Sequence, residues 1–354
     1  MKKIMITKQT QKNLITYAIV VFAYILVQIL IAAGALSYHL QGMLVSVCTY
    51  IIMAISLNLT VGILGELSLG HAGFMCVGAF LGAIFSISMK EIITFSPLRF
   101  LLALIIGAVS AGIVGFLIGM PVLRLKGDYL AIVTLAFGEI IKNLFNILYL
   151  GVDKNGVHFS TKDTLSLGLE EDGTIIVKGA QGVTGMPQDA NFTVGVILIL
   201  LTLFIVLHLI QSRDGRAIMS IRDNQIASES VGIPVSKYKL MAFTISAALA
   251  GMAGAFYVHS YGNISSSVFD YNLSIMILVF VVLGGIGSIR GSIIAATVLT
   301  LLPELLRFMS QYRMLVYAIV LIVMMLFNWS PKAQDFKKKL FAKIKLPRRT
   351  KEAK

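Results

Sequence analysis

The sequence predicts an all-α integral membrane protein, and three observations predict it. Hydrophobic residues fill 57% of the 354 positions and charged residues only 13%, with a mean hydropathy of +0.87. That is more apolar surface than one water-soluble core can bury. Apolar stretches of bilayer-crossing length, about 20 residues each, follow one another along the chain. Short strands of alternating polarity, the mark of a transmembrane barrel, do not stand out.

About ten transmembrane helices are expected, at 14–36, 41–61, 67–89, 98–120, 129–150, 192–210, 240–260, 271–289, 292–309 and 314–328. Charge orients them. Lys2, Lys3, Lys8 and Lys12 precede the first span without an acid, and ten Lys or Arg against Asp335 and Glu352 follow Trp329. Positive charge accumulates on the cytoplasmic side, so both termini are expected there. The 124–126 turn and the 211–239 loop, with Arg213, Arg216, Arg222, Lys237 and Lys239, fall on the same side. The 151–190 loop, with three Lys against six acids, falls outside. The expected organisation is a permease domain over 1–330 and a basic cytoplasmic tail over 331–354.

The first span has an apolar core longer than a cleavable signal's and is expected to remain as a helix. Cys48 and Cys76 sit in apolar spans without metal-ligand or disulfide spacing. The net charge of +13 is concentrated at the termini. That is the pattern of topology and attraction to anionic lipid, so the bilayer is the expected partner and nucleic acid is not.

No G-x-x-x-x-G-K-[ST] loop, H-E-x-x-H or G-x-S-x-G appears, and the five histidines are scattered. Neither a nucleotide site, a metal site nor a catalytic constellation is therefore expected on this chain. Polar residues inside the spans are few: Asn58, Glu66, His71, Thr134, Glu139, Asn143 and Glu304 among them. Ionisable groups at bilayer depth face a bundle interior or a wet path. Glu139 has two readings, a path residue or a structural partner of Lys142 three positions on.

The stretch "GELSLGHAGF" (65–74) lies in an apolar run of about fifty residues, longer than two crossings consume. The surplus falls on glycines, so a helix break or a tight crossing is expected at Gly62, Gly65, Gly70 and Gly73, with Glu66 and His71 as its polar partners. In "SAALAGMAGAF" (246–256), small residues recur every four positions, the pattern that lets helix backbones approach closely.

The loop "SRDGRAIMSIRDNQIASESVGIPVSKYK" (212–239) carries a candidate short helix from Gln225 to Val231. Asp223 is its expected N-cap and Gly232 its stop, followed by Pro234. Ile226, Ala227, Ser230 and Val231 form a small, weakly apolar face. A helix this short needs a partner to hold it.

Five blocks carry a resemblance: "GELSLGHAGFMCVGAF" (65–80), "LKGDYLAIVTLAFGEIIKNL" (125–144), "KGAQGVTGMP" (178–187), the segment 215–257, and "VLGGIGSIRGSIIAA" (282–296). In order and spacing they resemble LivM-type permeases of branched-chain amino acid ABC importers, over about residues 40–330. The resemblance implies a subunit of the bacterial inner membrane that pairs with a LivH-like permease. Two cytosolic ATPase subunits that use ATP and Mg, and an extracytoplasmic amino-acid-binding protein, complete the implied machine. The same machinery importing urea, short amides or other amino acids is the alternative, and an intramembrane enzyme or channel is a remote one.

The resemblance further implies that the 211–239 loop couples to the ATPase as the counterpart of the E-A-A-x-x-x-G motif. Ala227 and Ser228 stand at the paired alanines and Gly232 at the glycine, while Ile226 replaces the Glu. Arg216, Arg222, Asp223 and Asn224 are the candidates for the polar contact. Glu66 stands where Gln is expected in relatives.

Overall fold

The computed structural model describes residues 8–306, apart from 126, 154–155 and 170–172, and scattered positions from 312 to 323. Its helices are α1 (Lys8–Ala32), α2 (Tyr38–Asn58), α3 (His71–Ser88), α4 (Ser96–Val122), α5 (Asp128–Ile147), α6 (Phe192–Gln211), α7 (Arg213–Asp223), α8 (Gln225–Ser230), α9 (Val235–Val258), α10 (Tyr271–Gly284) and α11 (Ile289–Leu305). Among the described residues, eight helices are long and apolar enough to cross a membrane. They coincide with eight of the ten expected spans. The ninth, 292–309, falls largely on α11, which at 17 residues is slightly short of a full crossing. The tenth, 314–328, lies mostly outside the described residues, as does the tail. The chain forms two compact units, Met1–Thr297 and Val298–Lys354, the second holding the end of α11 and helical positions between 315 and 323.

Within the first unit the helices are not equivalent. The span His39–Leu64 is 94% buried, Val235–Val258 78% and His71–Ser88 72%, whereas Asn13–Ala32 is 11% buried. α2, α3 and α9 therefore form the centre, with α1 at the rim. The small residues of α9 make that centre possible. A Cβ on Gly78 would fall on the backbone of Gly251, and one on Gly254 would fall on the Met75 carbonyl. A Cβ on Gly107 of α4 would lie 2.7 Å from Ala255 Cβ and 2.9 Å from the Gly78 carbonyl oxygen. With no hydrophobic force between helices in lipid, such backbone-to-backbone packing supplies the cohesion.

The loop after α5, expected only to lie outside, also carries structure. Strands β1 (Tyr149–Asp153), β2 (Gly156–Ser160), β3 (Thr174–Lys178), β4 (Val183–Thr184) and β5 (Asn263–Ile264) form an antiparallel sheet in the order β2-β1-β3-β4-β5. Val183 pairs with Ile264, so the loop is stitched to the connection between α9 and α10. The ends of α5 and α9 and the start of α6 thus share one end of the bundle. The opposite end gathers α7, α8 and the turn after α10.

Gly254→Val is expected to destabilise the folded protein by about 1–3 kcal/mol through overpacking, read as a lowered thermal midpoint in detergent. Gly42→Val, where an added Cβ meets nothing within 4 Å, is expected to leave the midpoint unchanged.

Candidate functional site

α2 does not stop at Asn58 but widens into a π-helical turn, Leu59–Leu64, closed by Gly65 at φ +84°. That left-handed backbone favours glycine. Both Gly65 and Glu66 donate their N–H groups to the Thr60 carbonyl. Residues 65–70 are then non-helical, and α3 begins at His71 with no side-chain cap. The expected helix break is present.

A non-helical connection packed between two spans leaves amides without helical partners, and protein groups must supply them where water is excluded. Here hydroxyls from two other helices do so. The Leu69 N–H donates to Thr134 Oγ1 on α5 at 3.0 Å, and the Ala72 N–H donates to Ser274 Oγ on α10 at 3.0 Å. Gly70 and Gly73 let α5 come close: a Cβ at Gly70 would overlap the Thr134 carbonyl, and one at Gly73 would lie 2.8 Å from the Gly138 Cα.

His71 turns into the centre of the bundle. Its Nε2 lies 2.9 Å from Ser56 Oγ and 3.4 Å from Ser246 Oγ, and Ser246 donates to the Ser56 carbonyl at 2.5 Å. His71 Nδ1 and Ser68 Oγ are buried without a hydrogen-bond partner among the described residues. Asn58 secures the other side of the break: it donates to Ser292 Oγ at 2.9 Å and accepts from the Gly287 N–H at 2.9 Å.

The 211–239 loop sits directly against this break. It contains a helix the sequence reading left unassigned, α7, capped by Ser212, whose side chain accepts from the Gly215 N–H at 3.0 Å. The cap of α8 is Asn224, which accepts from the Ala227 N–H at 3.0 Å, and not Asp223 as expected. Asn224 has the extended backbone a cap requires, at φ −158°, while Asp223 is the last residue of α7. α8 ends as expected at Gly232, φ +83°. The Ile233 N–H bonds the Ser228 carbonyl and the Gly232 N–H bonds the Glu229 carbonyl, both at 3.0 Å, a Schellman pair.

Two side chains of the loop, Arg222 and Lys239, join it to the break. Arg222 donates from Nη1 to the Gly62 carbonyl at 3.1 Å and from Nη2 to Asp223 Oδ1 at 2.9 Å. Lys239 of α9 pairs with Glu66 and also donates to Gln225 Oε1 of α8 at 3.2 Å. Its side chain is 5% exposed and that of Glu66 15%. Removing one member of so buried a pair costs about 3–5 kcal/mol because a charge is left uncompensated. Beside these contacts Leu59, Ile63 and Leu64 pack with Ile218 of α7 and Ala242 of α9.

Gly65, Glu66, Gly70, His71, Gly73 and Thr134 thus come together. Glu139 is paired with Lys142 and accepts the Tyr271 N–H at 3.0 Å, which places it in helix packing at the start of α10. Asn143 is exposed on α5, away from the break. In the loop, Arg216 is exposed and donates to the Gln211 carbonyl at the end of α6 at 3.1 Å. Ser228 is buried against Ser220 of α7, whereas Ile226, Ala227 and Val231 face outward. Behind that outward face lies a shallow cleft of about 370 Å³ lined by Glu229, Gly232, Ile233 and Pro234. Ser56, Gln225, Ser246 and Ser274 also belong to the site, and Lys239, by sequence a topological charge, is one of its ion-pair partners. No local signal marks them, since a serine in an apolar span reads as a small residue.

Residues 39–327 match the family described as branched-chain amino acid transport system / permease component. The chain is 37% identical over 321 residues to the high-affinity branched-chain amino acid transport system permease protein LivM of Escherichia coli (strain K12), covering 87% of this chain and 73% of the relative. It is 38% identical over 293 residues to the protein of the same name from Salmonella typhimurium, covering 80% and 67%. It is 23% identical over 269 residues to the permease protein LivH of Salmonella typhimurium, covering 74% and 84%. No solved structure gives a significant match. With a central bundle of membrane-length helices and a family match over most of its length, the chain is a multi-pass membrane protein that belongs to the branched-chain amino acid transport permease family.

Proposed function

We propose that this chain is the membrane subunit of an ATP-driven importer that translocates leucine, isoleucine and valine delivered by an extracytoplasmic binding protein. The observation that carries the reading is the identity of 37–38% with two LivM permeases across most of the chain. A LivH-like permease completes the pathway, in line with the fainter likeness to LivH. Two cytosolic ATPase subunits hold ATP and Mg, and this chain binds no cofactor. The location is a bacterial cytoplasmic membrane with both termini inside, the sheet end outside and the α7–α8 end inside.

The mechanism follows from the two faces of α8. Its outward face presents Ile226, 80% exposed, and Val231, 75% exposed. Exposed aliphatic side chains on and just after a helix of six residues suit insertion into a groove of a soluble partner. The inward face, through Ser228 and Gln225, rests on this chain. ATP-driven movement of the partner then displaces α8 as a unit, and the two permeases alternate between openings to either side. Substrate affinity resides mainly in the binding protein, because the permease needs only a path.

Cells lacking this chain are expected to lose ATP-dependent uptake of labelled leucine at low micromolar concentration, an uptake competed by isoleucine and valine and not by urea. Unchanged leucine uptake with loss of another solute would replace the cargo and keep the importer. Ile226→Asp is expected to lower uptake about tenfold or more, as loss of a buried apolar anchor does. The same variant should insert normally but fail to co-purify the ATPase subunits; full co-purification would remove α8 from the contact.

A further inference from the structure

We propose that the Lys239–Glu66 ion pair, together with Arg222 on the Gly62 carbonyl, is the clamp that passes movement of α7 and α8 to the helix break. The inference rests on the importer reading above and names the residues through which the energy travels.

The contacts run in one unbroken series. α8 reaches Lys239 through Gln225, Lys239 holds Glu66, and Arg222 at the end of α7 holds the Gly62 carbonyl. Both anchor points, Gly62 and Glu66, lie on either side of Gly65, where the π-helical turn ends. A Cβ at Gly65 would meet Arg222 Cγ at 2.6 Å, so the guanidinium stem lies flat on the pivot residue. From the break the series continues through Leu69 to Thr134 on α5 and through Ala72 to Ser274 on α10. A shift of α8 therefore moves the 65–70 segment, and that segment is bonded to two further membrane helices.

Stability alone does not call for this arrangement. A buried ion pair is often no better than apolar packing of the same volume, and an apolar cluster around Leu64 and Ile218 already joins α7 to the π-helical turn. The polar pair adds what apolar packing lacks, a fixed register between two elements 173 positions apart in sequence. The break is also the part of α2 and α3 best able to respond, since its six residues have no helical ladder to resist displacement.

The test uses the complete complex in liposomes, with Cys48 and Cys76 replaced by Ala and a Leu67→Cys reporter in the break. Labelling of the reporter, ATP turnover and solute uptake are recorded together. In the otherwise unaltered complex, ATP with vanadate is expected to change the labelling rate about fivefold or more, the lower bound of ordinary site-to-site coupling. The double variant Glu66→Gln/Lys239→Met removes both charges and leaves none uncompensated. It is expected to assemble and hydrolyse ATP while losing the labelling response and at least about four-fifths of the uptake per ATP. A merely structural pair would leave response and uptake intact in the double variant, and that result overturns the clamp. Arg222→Gln tests the second contact independently: a reduced response supports the clamp and an unaltered one overturns it. A complex that imports a different solute while its reporter answers to ATP overturns the cargo and keeps the clamp. A reporter indifferent to ATP in the otherwise unaltered complex overturns the importer reading and the clamp with it.

Discussion

The amides stranded between the π-helical turn and α3 must find acceptors within the protein, because the helices packed around them keep water away. Everything around the break answers that demand. Thr134 brings α5 to Leu69, Ser274 brings α10 to Ala72, and the Thr60 carbonyl accepts twice from the chain as it leaves the helix. Each such bond adds only about 1 kcal/mol net, whereas a buried amide left bare costs several. The hydroxyls consequently fix geometry more than they add stability, and four helices are arranged around six residues of irregular backbone.

Much of this was legible in the sequence where the signal is local. Runs of membrane length gave the spans, and glycines in excess of what two crossings need gave the break at 65–70. Gly232 before Pro234 gave the end of α8. Where the signal is not local the sequence is silent. Glu66 lies in the glycine-rich middle of one apolar run and Lys239 at the edge of another, and nothing in either neighbourhood points to the other. Asp223 and Asn224 are equally good caps by residue type, and only the backbone of Asn224, extended where α7 has just ended, decides between them. The strands were hidden for a related reason: two of the five are two residues long, and β5 finds its partner some eighty positions upstream.

α8 shows how a helix of six residues persists when its own ladder cannot sustain it. Asn224 closes one end, the Schellman pair closes the other, and Ser228 seats it on α7. What remains uncovered is a compact aliphatic tip. The helix is thus rigid towards its own chain and open towards a neighbour, the combination a transmitting element needs.

The peripheral place of α1 has an evolutionary consequence. The family match opens at residue 39, after this helix, and its span is only 11% buried. Among the described residues its links to the bundle include Tyr24 and Gln28 to Thr193, Tyr24 to the Phe192 ring and Arg290 to Thr16. A segment attached so lightly is free to diverge, lengthen or vanish between lineages at little cost to the shared core. The seams at Gly78, Gly251 and Gly254 admit no such drift, and selection should hold them nearly constant while the first helix wanders.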